Sequence, residues 1–187
     1  LHNDTSISGS SLEAEKLFSQ QYPAVFNHLE RHKLKLSARN KAETGIRYEW
    51  YALQRWGANY YQDFLKPKII YPNMTKFMPF VYDKHQFFTN DKSFILTGTL
   101  LGYLTAFLNS KLFKFTFKDD FPELLGETRE LRKVFFENIT VKPIDDETWF
   151  IEKVEQIVYN KINGLETDYL ENEIDEVIFS LYEVLKA

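Results

Sequence analysis

The sequence predicts an α+β fold in which a small mixed β-sheet with packed helices is followed by a C-terminal antiparallel two-helix hairpin. Three observations predict it. Short apolar segments bounded by proline, such as residues 68–72, are typical of strands. Residues 100–108 are apolar on most sides and predict a buried helix. After residue 145, apolar residues recur at helical spacing in two stretches separated by Gly164.

The composition is that of a globular chain with a sizeable core. Its 187 residues are 44% hydrophobic and 17% aromatic, and a chain of this length buries about 70% of its unfolded surface. The absence of cysteine excludes disulfide scaffolds, Cys-ligated zinc, iron–sulfur clusters and thiol catalysis, and it favours the cytoplasm. Residues 93–110 form the longest uncharged window, but the polar residues in it favour a strand, a turn and a helix over a membrane span.

The sequence of the first part of the chain predicts a linker followed by helices. Residues 1–20 are Ser-rich and polar, and we expect a linker that runs into a short helix over about 11–20. A longer helix opens at Tyr22-Pro23, with apolar residues through Leu36 on one face and basic residues along its later turns. Trp50 lies in an aromatic-rich stretch, where packing is favoured over an interface role for its ring.

The middle of the chain predicts a small β-meander. Its strands are residues 68–72, 77–82 and 93–96, with a hairpin turn at 83–86. Consecutive strands of a meander lie side by side, so 77–82 is expected between the other two.

The segments that follow are less uniform. Residues 113–117 fit either a strand or a helix, and both interpretations stay open. Residues 119–132 contain proline, glycine and mixed charge, which indicates a loop. We expect residues 138–144 to close the domain as a strand.

The C-terminal region, residues 145–187, is the clearest structural prediction. Gly164 ends its first helix, and Asp168 with Glu171 forms a capping box for the second. The region holds 12 acidic residues against 3 Lys, which makes it unsuited to phosphate. We therefore expect it to brace the rest of the domain or to dock it on another one.

Charge is distributed unevenly along the chain. Residues 28–118 hold 15 Lys and Arg against 6 Asp and Glu, a net charge of +9. Residues 119–187 hold 7 against 18, a net charge of −11. Basic side chains displace counterions from phosphates, and aromatic rings can meet bases. The basic region is therefore suited to a nucleic acid.

The sequence also lacks several catalytic patterns. Its glycines form neither a G-x-G motif nor a P-loop, and no Glu-x-Lys or Asp-x-Lys triplet of a Mg-dependent nuclease occurs. His28 and His32 share one helix face, but without a third ligand we expect no metal site. The pairs Asp119-Asp120 and Asp145-Asp146 stand where a turn or a helix N-terminus favours acid, so capping explains them better than catalysis.

Several stretches, taken in their order along the chain, resemble one family. They are Tyr22-Pro23 with His28-Leu29, Gly45 with Trp50, and residues 66–72, 80–83, 103–112, 138–144 and 173–182. This run resembles the TaqI-like C-terminal specificity domain of adenine-specific DNA methyltransferases and combined type II restriction–modification enzymes.

The resemblance implies a target recognition domain over residues 21–144. Such a domain binds double-stranded DNA, recognises its sequence and presents an adenine to a methyltransferase domain upstream in the same chain. Residues 1–20 are then the linker from that catalytic region, and residues 145–187 are the helical hairpin. The resemblance also implies that S-adenosylmethionine binds outside this chain. The same holds for Mg²⁺ if the parent protein cleaves DNA. We therefore expect this chain to be non-catalytic.

Candidate DNA-contacting residues are chosen by side-chain chemistry, because Arg suits guanine, Asn suits adenine and Lys suits phosphate. They are Arg47, Arg55, Lys68, Asn73, Thr75, Lys76, Arg129 and Arg132. The alternative function is a protein-docking module that uses the acidic hairpin. The salt dependence of binding distinguishes the two functions. Added salt weakens DNA binding steeply, whereas it changes the affinity of a packed helical interface only slightly.

Overall fold

The computed structural model describes residues 12–39, 49–52 and 60–183. The chain forms two compact units, Leu1–Tyr60 and Tyr61–Ala187. Helices and small antiparallel sheets are both present, which confirms the α+β class.

The first unit contains three short helices among its described residues. α1 (Leu12–Gln21) confirms the predicted N-terminal helix, and the burial of Phe18 shows that it packs as well as connects. The longer helix predicted after it is instead two helices, α2 (Pro23–Glu30) and α3 (Lys33–Ala38). The helix breaks at His32, whose N–H donates to the carbonyl oxygen three residues earlier, as in a 3-10 turn.

Trp50 is buried in the first unit, as the sequence favoured. Its indole Nε1 donates to Glu15 Oε1 at 3.0 Å, and its ring packs edge-on against Phe26. Lys33 donates to the same carboxylate oxygen at 2.9 Å and lies over the Trp50 ring. The hydrogen bond from Lys33 is the main reason that the pKa of Glu15 is lowered. Trp50 is therefore committed to packing.

The second unit contains five short strands and five α-helices among its described residues. The strands are β1 (Lys68–Pro72), β2 (Met74–Thr75), β3 (Val81–Asp83), β4 (Ser93–Leu96) and β5 (Arg129–Glu130). The helices are α4 (Leu101–Asn109), α5 (Lys111–Asp120), α6 (Lys133–Phe136), α7 (Thr148–Ile162) and α8 (Asp168–Leu181). One antiparallel sheet has the order β3-β1-β4, and a second consists of β2 paired with β5.

The order β3-β1-β4 shows that the predicted meander is wrong. β1 lies in the centre, so the chain passes from one edge of the sheet to the other between β3 and β4. β3 is also shorter than predicted. It ends at Asp83, whose carboxylate accepts the N–H groups of His85 and Phe87 and so closes a local turn.

Two consecutive helices cross the core beside the sheet. α4 is buried along most of its length, as predicted. α5 resolves the open interpretation of residues 113–117, which are helical. Ser110 starts α5, because its Oγ accepts the N–H of Phe113 at 3.1 Å as an N-cap. Phe113 and Phe117 then lie one turn apart on the buried face.

Two further segments differ from their predictions. Residues 119–132 contain the end of α5, a 3-10 turn and β5 rather than a plain loop. Residues 138–144 are not a strand. There the Lys142 N–H donates to Tyr182 Oη at 2.8 Å, and the Lys142 carbonyl accepts from Tyr103 Oη at 2.9 Å. Tyrosine hydroxyls thus satisfy backbone groups that a neighbouring strand would otherwise pair.

The C-terminal hairpin is confirmed. α7 and α8 pack together after a turn at Gly164, which adopts a left-handed φ of +66°. The capping prediction was wrong in detail, because Thr167 rather than Asp168 precedes α8, and Thr167 Oγ1 donates to Glu171 Oε1 at 2.8 Å. Burial opposes the charge on Glu171, but hydrogen bonds from Lys161 and Thr167 lower its pKa overall.

The hairpin shares one hydrophobic core with the sheet. Phe150 of α7 and Ile178 of α8 belong to the same buried cluster as Ile69 of β1 and Phe107 of α4. The second unit is therefore a single packed body that extends across the predicted boundary at residue 144.

Two carboxylates attach the hairpin to the central helices. Glu147, which immediately precedes α7, accepts the Gly102 N–H at 2.7 Å through Oε2 at the start of α4. Asp175 of α8 accepts the Lys111 N–H at 2.7 Å through Oδ1 at the start of α5. Both carboxylates satisfy helix N-terminal amides that have no partner within the helix, and their charge is favourable against the helix dipole.

The close approach of α4 to α7 generates a stability prediction. A Cβ added at Gly102 would stand 2.5 Å from Ile151 Cγ1 and 3.0 Å from the Ile151 backbone nitrogen. Because backbone atoms are part of the clash, we expect an overpacking cost in the upper part of the usual range, about 2–3 kcal/mol, against a gain of about 1 kcal/mol from helix propensity. We expect Gly102→Ala to lower the free energy of unfolding by about 1–2 kcal/mol, measured by urea denaturation.

An exposed position in the neighbouring helix provides the control. Phe115→Ala on α5 removes a ring that is 78% exposed and should change stability by less than about 0.5 kcal/mol. A Gly102→Ala variant as stable as the wild type would contradict the α4–α7 packing.

Candidate nucleic-acid interface

The second sheet brings together two segments that were predicted separately as DNA-contacting. Asn73, Thr75 and Lys76 lie in or beside β2, while Arg129 and Arg132 lie in or beside β5. The antiparallel register places Thr75 opposite Arg129. We call residues 73–77 and 129–132 the ribbon.

One backbone hydrogen bond extends the pairing within the ribbon, and another joins the ribbon to the turn before β4. The Asn73 carbonyl accepts the Leu131 N–H at 2.9 Å, and the Leu131 side chain is fully buried. On its other side, the Asn73 N–H donates to the Lys92 carbonyl at 2.9 Å. The turn that carries exposed Lys92 therefore lies next to the ribbon, which the sequence did not reveal because the pairing is not local.

Lys76 is the ribbon cation that is best placed for phosphate. It is exposed, and among the described side chains no carboxylate forms an ion pair with it. A Cβ added at Gly126, which has a left-handed φ of +72°, would stand 3.9 Å from Lys76 Nζ. The ammonium group thus lies beside an open glycine backbone and keeps its hydrogen-bond donors for a ligand.

Arg132 is also accessible. Its side chain is 64% exposed, and its Nε pairs with Glu130 Oε1 at 2.8 Å. An exposed ion pair of this kind contributes little stability, so a phosphate or a base edge can compete for the guanidinium group.

Arg129 has a structural position that differs from the prediction. Only 12% of its side chain is exposed. Its Nη1 donates to the Phe121 carbonyl at 2.7 Å, and its Nη2 donates to Glu123 Oε2 at 3.0 Å. These bonds hold the segment around Gly126 against the end of α5. Arg129 therefore does not project freely from the Gly126 loop as expected, and its contact with DNA stays a prediction.

Lys68 also differs from its predicted role as a DNA contact, because its side chain is completely buried within the first sheet. Its ammonium group forms an ion pair with buried Asp83 and donates to the Phe64 carbonyl at 2.8 Å. A strand residue with this burial offers nothing to a phosphate. The basic sequence around Pro67 could not distinguish this internal ion pair from a surface cation.

The other candidates differ in accessibility. Thr75 is half-buried, and its hydroxyl accepts the Phe77 N–H at 3.0 Å and donates to the Phe77 carbonyl at 2.9 Å. Asn73 is half-buried at the anchored end of the ribbon. Arg47 and Arg55 lie outside the described residues, so they stay predictions.

A groove of about 960 Å³ borders the ribbon but does not suit a polyanion. It lies among residues 76–82, α4, α5 and the hairpin. Cations such as Lys111 and Lys161 line it together with carboxylates such as Asp175 and Glu171. Lys76 and Phe77 of the ribbon form one edge of this groove. Because the rest of the groove carries mixed charge, a phosphate is better placed at that edge than inside the groove.

Neither a metal site nor a membrane span is found within the described ranges. No group of three or more His, Asp or Glu side chains there could hold a metal ion. The rings of His28 and His32 are 5.5 Å apart and exposed. No helix in the same ranges has the length and apolar character that membrane crossing requires.

Comparison with protein families decides which kind of domain this fold represents. The model of the TaqI-like C-terminal specificity domain matches residues 20–144. The chain belongs to the TaqI-like C-terminal specificity domain family. Comparison with curated proteins gives no match.

A TaqI-like specificity domain recognises DNA in a restriction–modification enzyme and is not itself catalytic. The matched residues include the whole ribbon and the sheet that anchors it, and they end just before the hairpin.

Because Lys68 is buried, its replacement should lower the stability of the fold, whereas replacement of an exposed phosphate contact would lower only the affinity for DNA. Lys68→Ala would leave the Asp83 carboxylate buried without its cation, which costs about 3–5 kcal/mol. We expect a large loss in the free energy of unfolding, measured by urea denaturation. Lys66→Ala, which removes an exposed cation two residues away, is the control and should change stability by less than about 1 kcal/mol. Equal stability of the two variants would contradict the internal ion pair.

Proposed function

We propose that this chain is the part of a restriction–modification enzyme that recognises a specific duplex DNA sequence through the ribbon. In this proposal the parent protein methylates adenine N6 with S-adenosylmethionine in a domain upstream of residue 1, and it acts in the cytoplasm. The chain itself supplies binding and orientation, and it holds none of the chemistry.

The position of Lys76 and Arg132 on one anchored ribbon supports the proposal. Phosphate contacts fix the register of a protein on DNA, and contacts to base edges select the sequence. Lys76, which pairs with no carboxylate among the described side chains, is a point charge suited to phosphate, whereas the Arg132 guanidinium group has the planar geometry that matches guanine. A two-stranded ribbon is one of the elements that the major groove admits.

The hairpin has a different task in this proposal. Its carboxylates Glu147 and Asp175 are directed inward at α4 and α5, and its outer face is acidic. Because DNA is a polyanion, the hairpin should face away from it while it supports the helices that pack against the sheet.

A salt titration of the full-length protein tests the role of Lys76. We expect Lys76→Ala to weaken binding to specific and scrambled duplexes alike and to reduce the slope of log K against log salt by about 0.9. Lys161→Ala is a matched control, because Lys161 is 60% exposed and pairs with Glu171 at 2.8 Å on the hairpin. Its affinity and slope should equal those of the wild type.

Arg132 should behave differently from Lys76. Arg132→Ala is expected to relax preference at one position of the site, by about 1–3 kcal/mol of discrimination, as the loss of one bidentate base contact does. The measurement is competition binding with duplexes changed at single positions. If both Arg132→Ala and Lys76→Ala bind as the wild type does at every salt concentration, the ribbon is not the interface.

One observation favours protein docking as a second candidate function. Four large apolar side chains are exposed around the tip of the hairpin: Tyr159, Ile162, Leu165 and Tyr169. Exposed apolar clusters of this kind mark protein contacts. In that case Ile162→Glu should weaken association with the separately expressed upstream region, measured by sedimentation, at both low and high salt. Unchanged association would exclude this face from docking.

A further inference from the structure

Glu130 and Arg132 lie on the outer face of the ribbon. Side chains of an extended chain alternate between two faces. The residues on either side of Glu130 face inward, since only 12% of the Arg129 side chain and none of Leu131 is exposed. Met74, which the register places opposite Glu130, is 50% exposed. The outer face therefore combines Arg132, a candidate base contact, with a carboxylate.

A carboxylate at this position is by itself unfavourable for DNA binding. It repels the phosphates that the ribbon binds in the proposed function, because a duplex is a polyanion. The position of Glu130 is explained if the carboxylate acts on Arg132. Glu130 Oε1 forms an ion pair with Arg132 Nε at 2.8 Å. Only 26% of the Glu130 side chain is exposed, so solvent screens the pair incompletely.

The ion pair engages one side of the Arg132 guanidinium group. Nε is the nitrogen next to the aliphatic chain, whereas Nη1 and Nη2 form the outer edge. Among the residues that the structure describes, no hydrogen bond engages that outer edge. Guanine presents O6 and N7 as adjacent acceptors in the major groove, and a pair of N–H donors from arginine matches them. Pairing at Nε therefore leaves a bidentate donor edge for a guanine.

The backbone of Arg132 is fixed on both sides. The Leu131 N–H donates to the Asn73 carbonyl at 2.9 Å, and the Arg132 carbonyl accepts the Phe135 N–H at 3.0 Å where α6 begins. The long arginine side chain still has several rotatable bonds, and the contact with Glu130 restricts them before DNA binds. A group restricted in this way loses less conformational freedom on binding, which favours affinity.

We infer that Glu130 is a positioning residue that orients Nη1 and Nη2 of Arg132 toward a guanine in the recognised sequence. The inference rests on the proposed function and adds to it the residue on which one base contact depends. Glu130 then lowers the affinity for every duplex through its charge, but it raises the discrimination in favour of that guanine. These two effects have opposite signs, so they can be measured separately.

Replacement of guanine by 7-deazaguanine tests this inference, because it removes the N7 acceptor and keeps base pairing intact. In the full-length protein, each guanine of the bound site is replaced in turn, and Kd is measured for the wild type, Arg132→Ala, Glu130→Ala and Glu130→Gln. We expect one replacement to weaken wild-type binding about tenfold, as loss of a hydrogen bond from a charged group does. Arg132→Ala should abolish this difference, and Glu130→Ala should reduce it to about threefold or less. Glu130→Gln should keep most of it, because its amide oxygen can still accept a hydrogen bond from Nε.

Binding to scrambled duplexes separates positioning from simple charge repulsion. Glu130→Ala should bind them more tightly than the wild type does, because it removes a negative charge from the interface. Glu137→Ala is the matched control, because Glu137 is 60% exposed and pairs with Lys133 at 3.3 Å rather than with Arg132. It should discriminate against 7-deazaguanine as the wild type does.

A wild type insensitive to every replacement, or a Glu130→Ala variant that keeps full discrimination, would overturn the inference. A further loss of preference at a cytosine when Glu130→Ala is added to Arg132→Ala would also overturn it. That result would indicate that Glu130 itself accepts a hydrogen bond from cytosine N4. Failure of the wild type to bind any duplex would instead refute the proposed function.

Discussion

The carboxylates of Glu147 and Asp175 join the hairpin to the first turns of α4 and α5, and the position of the ribbon depends on that junction. Each carboxylate accepts a helix N-terminal amide at 2.7 Å, so the charge is placed where the helix dipole favours it. The fixed helices pack against β1, whose chain continues through Asn73 into β2. A candidate DNA-binding element with only two residues in each strand is thereby held by a core far larger than itself.

The same core accounts for the difference in burial between two nearby lysines. Lys68 and Lys76 are eight positions apart, yet Lys68 is enclosed with Asp83, while Lys76 is exposed and has no ion-pair partner in the part of the chain that the structure describes. The internal pair is retained at a considerable desolvation cost because Asp83 also accepts two backbone amides, which shape the turn after β3. The pair thus specifies local conformation, while the exposed lysine is available to bind phosphate.

Local periodicity predicted those parts of the fold that depend on a residue's immediate neighbours. α4, α7, α8 and β1 were found because their apolar spacing or flanking prolines are sufficient to define them. The meander and the strand at 138–144 were wrong, because the partners of these segments are distant in sequence. Tyr182, for example, satisfies the Lys142 N–H from 40 residues away. Residues 73–76 and 129–132 were both proposed from chemistry, but only the β2–β5 pairing places them together.

The opposite charges of the two halves of the chain also stabilise the fold. Lys84 pairs with Glu155 at 2.6 Å, and Lys111 pairs with Asp175 at 3.1 Å, so cations of the basic region meet carboxylates of the hairpin. The enclosure of Lys68 removes one cation from the set that DNA can contact, and hairpin carboxylates offset the charge of Lys84 and Lys111 locally. The net charge of +9 over residues 28–118 therefore overstates the number of phosphates that this region neutralises. Since salt dependence follows the phosphates contacted rather than formal charge, binding should depend on a small number of cations, of which Lys76 is one.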